Sequence, residues 1–289
     1  MGKIERIRFP LFQYGRLIGE KNMRVTKDCK GLVTPITLTF LLFSFTFLTV
    51  ATYYVAMSSV NSRSGRLNYA AAKQDMLMLE NTISSVTWSS GSSVIQNFQG
   101  YGGEFEMRPE MRRLVVNLTL GPSSLIVFNS SVGYVSYRMP SSDYGEPDLY
   151  LRGDDEPVIN RSFQSSAQMF IRINGDSQEI YLGYRPLVIS FLDSSETGTV
   201  NVVRIFIVNL NSSEKLQFTG GFRVRIGCVN ITTETSTYNL TGEFTYAQVK
   251  VTSEGSEGTV SLPLSSADGF TVVRVETLVC NVKLEEVKF

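Results

Sequence analysis

An uncharged apolar stretch near the start of the chain constrains the fold most. No charged residue lies between Lys30 and Arg63, and Leu32–Met57 are 26 residues in which Ser and Thr are the main interruptions. As a helix, 26 residues rise about 39 Å, which exceeds the roughly 30 Å hydrocarbon core of a bilayer. Buried helices of soluble proteins rarely run this far without a charge. We therefore predict a membrane segment.

The formal net charge of zero hides an uneven distribution. Residues 1–31 carry eight Lys or Arg and three Asp or Glu, a net charge of +5, so the other 258 residues carry −5. Positive segments stay on the cytoplasmic side of a membrane helix. We expect residues 1–31 to form a basic cytoplasmic leader and residues beyond about 60 to lie outside. The apolar run is about twice as long as the core of an ordinary cleaved signal peptide.

A basic residue and a glycine stand directly before the apolar run, as Lys30 and Gly31, followed by Leu32. This arrangement resembles the class III signal peptides of archaeal type IV pilin-like proteins. The resemblance implies that a prepilin peptidase cuts after Gly31 and that Leu32 begins the mature chain. It also implies that the freed helix packs into a filament core. Position 36 is Ile, where bacterial pilins keep a Glu.

The helical pattern continues past the apolar run. Lys73, Asp75 and Glu80 lie off an apolar stripe that repeats at steps of three and four residues, which is typical of an amphipathic helix. Its partner is either the downstream domain of the same chain or the same helix in neighbouring subunits. We predict a transmembrane or filament-core helix with an amphipathic extension over residues 32–88. The stripe consists of Tyr69, Ala72, Met76, Leu79, Ile83 and Val86.

The rest of the chain changes to a β pattern. Residues 89–111 are rich in Ser and Gly and are interpreted as a linker. From residue 112 to 289, short β-branched and aromatic runs alternate with turn residues, including the hairpin signal Asn174-Gly175-Asp176. The predicted fold class is α+β, with a long N-terminal hydrophobic helix followed by an extracellular antiparallel β-sandwich domain.

Two cysteines fall in predicted strands, with both side chains on the core-facing side. Cys228 and Cys280 either form a disulfide, which an extracellular location permits, or remain two buried thiols. Cys29 would be lost with the leader. Six Asn-X-Ser/Thr sequons, all in the predicted outer part, indicate glycosylation of a surface protein. Their asparagines are Asn117, Asn129, Asn160, Asn211, Asn230 and Asn239.

Residues with enzyme or metal chemistry are scarce. The chain has no histidine, which removes the usual general base and the commonest metal ligand. Ser212 to Lys215 fit Ser-x-x-Lys without the companion motifs, and no nucleotide-binding glycine pattern occurs. We predict no catalytic residue, metal, cofactor or nucleic-acid partner. A solvated loop or a Ca²⁺ site could explain the densest carboxylates, which are Asp143, Glu146, Asp148, Asp154, Asp155 and Glu156.

Three functional hypotheses follow. The first is a type IV pilin-like subunit, inserted through its N-terminal helix, cut after Gly31 and assembled into a surface filament or pseudopilus. Its partners would be the membrane, the prepilin peptidase and copies of itself or other pilin-like subunits. The second is a permanently membrane-anchored surface glycoprotein whose β-sandwich binds envelope components. An exported carboxylate-based glycosidase is a weaker third interpretation, because no pair of acids stands out.

Overall fold

The chain divides into two compact units, with the boundary between Val60 and Asn61. The structure, a computed structural model, describes residues 30–140, 149–160, 165–175, 177–195, 198–266 and 269–288. The predicted leader up to Cys29 lies outside these residues, as do Asp143, Glu146, Asp148 and Asp176 of the sequence predictions.

One long helix is followed by thirteen strands within the described residues. The helix ends soon after Val86, where Trp88 takes a positive φ of 67°, a conformation that interrupts a helix. The elements in chain order are α1 (Lys30–Val86), β1 (Ser93–Phe98), β2 (Glu104–Leu120), β3 (Ser123–Pro140), β4 (Tyr150–Arg152), β5 (Ala167–Asn174), β6 (Ser177–Tyr184), β7 (Leu187–Ser195), β8 (Gly198–Asn209), β9 (Leu216–Phe218), β10 (Phe222–Thr241), β11 (Tyr246–Ser253), β12 (Ser256–Pro263) and β13 (Phe270–Glu286).

The strands form two sheets. One has five strands in the order β1-β10-β13-β8-β7. The other has eight, in the order β12-β11-β2-β3-β6-β5-β4, with β9 paired to β2. In most strands buried and exposed positions alternate, as along Phe222–Cys228 of β10, because successive side chains point to opposite faces. Each sheet therefore presents one apolar face to the interior.

Two hydrophobic cores fill the interior, and both take residues from both sheets. The first, which we call the helix core, includes Phe105 and Met107 of β2, Ile226 of β10 and the apolar stripe of α1. The second includes Val116 of β2, Val249 of β11 and Val275 of β13. The long strands β2 and β13 contribute to both cores, so the two cores belong to one β-rich unit.

The prediction of a long apolar N-terminal helix followed by a mostly β domain is confirmed. The prediction of an entirely antiparallel domain is wrong at one ladder, because β13 and β8 pair in parallel from Val273–Asn201 to Asn281–Asn209. A parallel pair needs a long crossover connection. Here the chain supplies one by forming β9 to β12 between the two strands.

The Ser/Gly-rich segment at residues 89–111 is not a linker. It contains β1 and the first part of β2. Phe98 and Phe105 from this segment are buried in the helix core, and their rings lie 5.3 Å apart. The glycines around residues 100–103 obscured the alternation that would have predicted these strands. Not all strands are as short as the sequence pattern predicts, because residues 123–140 form the single long strand β3.

Candidate functional site

The first half of α1 is an apolar surface. Every described side chain from residue 35 to residue 60, which we call the apolar segment, is exposed. Its large side chains include Phe40 and Phe43, both 70% exposed, and Tyr54, 76% exposed. Proteins in water rarely present contiguous apolar surface on this scale unless a membrane or a partner covers it.

Four threonine hydroxyl groups of this segment are satisfied within the helix. Thr39 donates a hydrogen bond to the Pro35 carbonyl oxygen at 2.7 Å. Thr46, Thr49 and Thr52 each donate in the same way to the carbonyl four residues earlier, at 2.7–2.8 Å. A hydroxyl paired with its own helix does not need water. The threonines therefore remain compatible with an apolar surrounding.

The helix is long and apolar enough to cross a membrane, by its length and composition. The candidate span begins at Pro35 and has a mean hydropathy of 1.7 over an 18-residue window, none of which is buried. Pro35 is the sixth residue of α1, so its missing N–H removes one helix hydrogen bond, the one to the Gly31 carbonyl oxygen. The three predicted processing residues, Lys30, Gly31 and Leu32, lie in the first turn of α1.

The second half of α1, residues 61–86, is an amphipathic segment. All six residues of the predicted stripe are buried, with exposures between 0% for Met76, Leu79 and Ile83 and 5% for Tyr69. They belong to the helix core of the same chain. The sequence left two partners open for this stripe, the downstream domain of the same chain and the same helix of neighbouring subunits. In the structure the downstream domain packs against it.

Polar contacts flank the stripe. Glu80, which the sequence placed off the stripe, has a side chain only 6% exposed and lies 3.4 Å from Arg152 of β4. The Ser84 hydroxyl donates to Glu80 at 2.8 Å. On the other side, the Tyr101 hydroxyl donates to Asp75 at 3.0 Å. The sequence pattern does not indicate the contacts of Arg152 with Glu80 or of Tyr101 with Asp75, because these partners are distant along the chain.

The two cysteines of the β domain lie in contact. Their sulfur atoms are 3.4 Å apart on the neighbouring strands β10 and β13, which is a contact distance and not a covalent bond. Both are buried. Burial raises the pKa of the Cys280 thiol to about 12, so very little thiolate is present at neutral pH.

The sequon asparagines are accessible. Asn129, Asn160, Asn230 and Asn239 are exposed, and the other two, Asn117 and Asn211, are half-buried. None of the six asparagines is buried, although Ser162 of the Asn160 sequon lies outside the described residues. Accessibility of this kind is a requirement for glycan attachment.

The carboxylate-rich loop after β4 is held by one arginine. Arg185, which is fully buried, pairs with Asp154 and also donates to the Ser165 and Glu156 carbonyl oxygens. This pairing lowers the pKa of Asp154 below its ordinary value. Among the described residues, no group of His, Cys, Asp and Glu is arranged to hold a metal ion. Arg185 therefore has a structural role in fixing this loop, which the sequence did not predict.

No known protein family model, curated protein or solved structure matches this chain.

Proposed function

We propose that the chain is a type IV pilin-like subunit that enters the membrane through α1, is cut after Gly31 and assembles into a surface filament or pseudopilus. One contrast within α1 carries the proposal. The apolar segment is exposed throughout, while the amphipathic segment is buried in the chain's own core. The apolar segment therefore needs lipid or neighbouring copies around it, whereas the amphipathic segment is already covered by the chain's own core.

The charge distribution supports the cut as the step that permits assembly. Moving a Lys or Arg to the middle of a bilayer costs roughly 2.5–3.5 kcal/mol on insertion scales. The leader carries eight such side chains, and after removal of residues 1–31 the next charged side chain is Arg63. The uncut chain is therefore held by its cytoplasmic charges, whereas the cut chain keeps only the new α-amino group of Leu32 on that side and can leave the bilayer outward.

The apolar segment is suited to both surroundings. Thr46, Thr49 and Thr52 donate to the helix backbone, so these three hydroxyls need no hydrogen-bond partner from lipid or from a neighbouring helix. Copies of the segment offer each other a surface as apolar as lipid. In this proposal the β domain, with its six sequons, faces the outside and is displayed on the assembly.

Electron microscopy of a processing variant tests the proposal. The chain is expressed with a prepilin peptidase, either unchanged or as Gly31→Ile, and material released from the cell surface is imaged. We expect filaments from the unchanged chain and none from Gly31→Ile. Gly19→Ile, which changes a leader glycine away from the junction, is the matched control and should still give filaments.

A permanently anchored surface glycoprotein is the second candidate, favoured by the accessible sequon asparagines. It would keep the leader, and Gly31→Ile would leave its amount and location unchanged. Protease added to intact cells should digest the β domain under both candidates. Full protection of the β domain would contradict both.

A further inference from the structure

The five-stranded sheet has an open edge along most of β10. β1 pairs only with residues 222–227 of β10, whereas β13 pairs with β10 as far as Thr241. Among the described residues, no strand pairs with residues 230–241 on the β1 side, and we call this stretch the open half of β10. The backbone N–H and C=O groups along such an edge are available to a strand of another chain.

The open half of β10 lacks the features that usually protect an edge strand. It contains no Lys, Arg or Pro, and Glu234 is its only charged residue. Five of its twelve residues are threonine, which favours strands. Long edge strands with little charge and no proline pair readily with other chains. The open half of β10 is therefore suited to a partner strand.

The opposite edge of the same sheet is open along part of β7. Near the start of β7, the Val188 N–H donates to the Ile159 carbonyl oxygen at 2.8 Å. Among the described residues, no strand pairs with residues 190–195 on the side away from β8. Phe191 and Leu192 in this stretch are 41% and 53% exposed. The sheet thus has two unprotected edges.

The strand register places the two open edges at the same level of the sheet. Leu192 pairs with Asn201, Asn201 with Val273, and Val273 with Tyr238, so these four residues form one row across the sheet. β10 and β7 also run in the same direction, because each is antiparallel to its neighbour and those neighbours, β13 and β8, are parallel to each other. An identical sheet in the same orientation can therefore continue this one.

Apolar side chains match across such a junction. Tyr238 packs against the second core but is only half-buried. Leu192 ends the same row and points to the same side of the sheet. In a joined sheet, Leu192 of one copy would lie beside Tyr238 of the next and cover it. Asp193 and Glu234, the single charged residues of the two edges, would not lie opposite each other.

We propose that β7 of one copy pairs in parallel with the open half of β10 in the next copy, so that the five-stranded sheets join into one continuous sheet. A contact between two different edges is head-to-tail and leaves a free edge at each end, which is how identical chains build filaments instead of closed dimers. The inference rests on the proposed assembly and names the place where its β domains meet. The sequon asparagine Asn239 points to the side of the sheet opposite to Tyr238, so a glycan there leaves the edge open.

The next row of the sheet supplies a pair of positions for a test. Phe191 and Thr237 are the ends of this row, which passes through Val202 and Arg274. In a joined sheet, Phe191 of one copy would lie beside Thr237 of the next. Neighbouring strands are about 4.8 Å apart, a separation at which two cysteines can form a disulfide.

Cysteine cross-linking of the full chain tests the contact, in cell membranes and in material released from the cell surface. With a mild oxidant, the double variant Phe191→Cys with Thr237→Cys should form a ladder of covalent dimers and higher oligomers. The matched control is Phe191→Cys with Thr259→Cys, which changes an exposed threonine of β12 in the other sheet. We expect at least about tenfold less cross-linked chain from the control, because its two cysteines do not meet.

The outcomes separate this contact from the proposed function. Filaments without the cross-linked ladder would overturn the contact and leave the filament standing, and so would covalent dimers from Thr237→Cys alone, because two β10 edges would then meet each other. A ladder in membranes of cells that form no filaments would support the contact and contradict the filament. No ladder in either preparation would overturn the contact.

A charge at the junction gives a second measurement. Leu192→Lys, at an exposed position, should keep the fold and place a charge beside Tyr238 of the next copy. Added to the double cysteine variant, it should reduce the ladder about tenfold or more. Ile173→Lys, at a position 42% exposed in β5 of the other sheet, is the control and should leave the ladder unchanged. Equal ladders from the two lysine variants would overturn the contact.

Discussion

The two halves of α1 differ in where their apolar side chains are covered. In the amphipathic segment, Met76, Leu79 and Ile83 are fully buried in the chain's own core. In the apolar segment, side chains such as Phe40 and Phe43 are 70% exposed. One continuous helix thus contains a part that the chain covers itself and a part that the chain leaves exposed. Both segments are helical but only one is buried, so helix formation along α1 does not depend on burial by the rest of the chain.

The largest expected effect comes from shortening a side chain in the amphipathic segment. Leu79→Ala should lower the free energy of unfolding of the β domain by about 2–5 kcal/mol, because it leaves a cavity in a packed core. Leu67→Ala, at a position 71% exposed, should change it by less than about 0.5 kcal/mol.

Denaturant unfolding of the full chain in detergent measures both variants. The single tryptophan, Trp88, packs edge-on against Phe206 with ring centroids 5.3 Å apart, so its fluorescence reports on the β domain. Equal effects of Leu79→Ala and Leu67→Ala on the free energy of unfolding would contradict the burial of one face of this segment.

A charge introduced into the apolar segment should weaken membrane insertion and leave the stability of the β domain unchanged. Leu42→Arg should reduce membrane insertion by about 2.5–3.5 kcal/mol, the cost of an arginine near the middle of a membrane helix. Leu67→Arg should have no such effect. The fraction of chain that resists alkaline extraction from membranes measures insertion, and an unchanged fraction for Leu42→Arg would refute the lipid contact.

A smaller effect is expected from the ion pair beside the stripe. Arg152→Ala should destabilise the β domain by about 1–3 kcal/mol, because Glu80 is buried and loses its cation. Arg113→Ala, which removes an exposed arginine bonded to Asn129, serves as the control. Chemical denaturation distinguishes them, and equal stability of the two variants would show that Glu80 does not need Arg152.

The smallest effect is expected at Tyr101, with a pH dependence. Tyr101→Phe should cost about 0.5–1.5 kcal/mol at pH 7, through loss of the hydrogen bond to Asp75. Burial, and then the contact with Asp75, raises the pKa of Tyr101 above 10 in the folded state. The stabilisation is therefore present below pH 10 and is lost as pH rises through the raised pKa.

Unfolding curves at pH 7 and at pH 11 measure this dependence. The difference between Tyr101→Phe and the unchanged chain should shrink at the higher pH. A constant difference would mean that the hydroxyl stabilises the fold in a way that does not depend on its proton.

The features that the sequence predicted are those carried by local periodicity. The apolar run, the stripe from Tyr69 to Val86 and most strands follow from spacing along the chain. The alternation around Cys228 and Cys280 also predicted that both sulfurs face the core, where they lie 3.4 Å apart. Whether they are bonded in the native protein stays a prediction, to be tested by looking for a mass two hydrogens lighter.

The features that the sequence did not predict depend on long-range pairing. The parallel ladder of β13 with β8 joins strands that are not consecutive. Arg112, Tyr181 and Ser253 line one cavity of the β domain, although their strands β2, β6 and β11 are far apart along the chain. The sequence predicts that Glu80 lies off the apolar stripe but does not indicate its partner, Arg152 of β4, which lies 3.4 Å away. Local pattern contains no information on such partners.

The N-terminal residue of the native protein tests the central claim most directly, because cleavage is what separates a transient membrane helix from a permanent anchor. Mass spectrometry of protein isolated from the cell surface should find Leu32 as the first residue. Mature surface protein that still carries residues 1–31 would contradict the account.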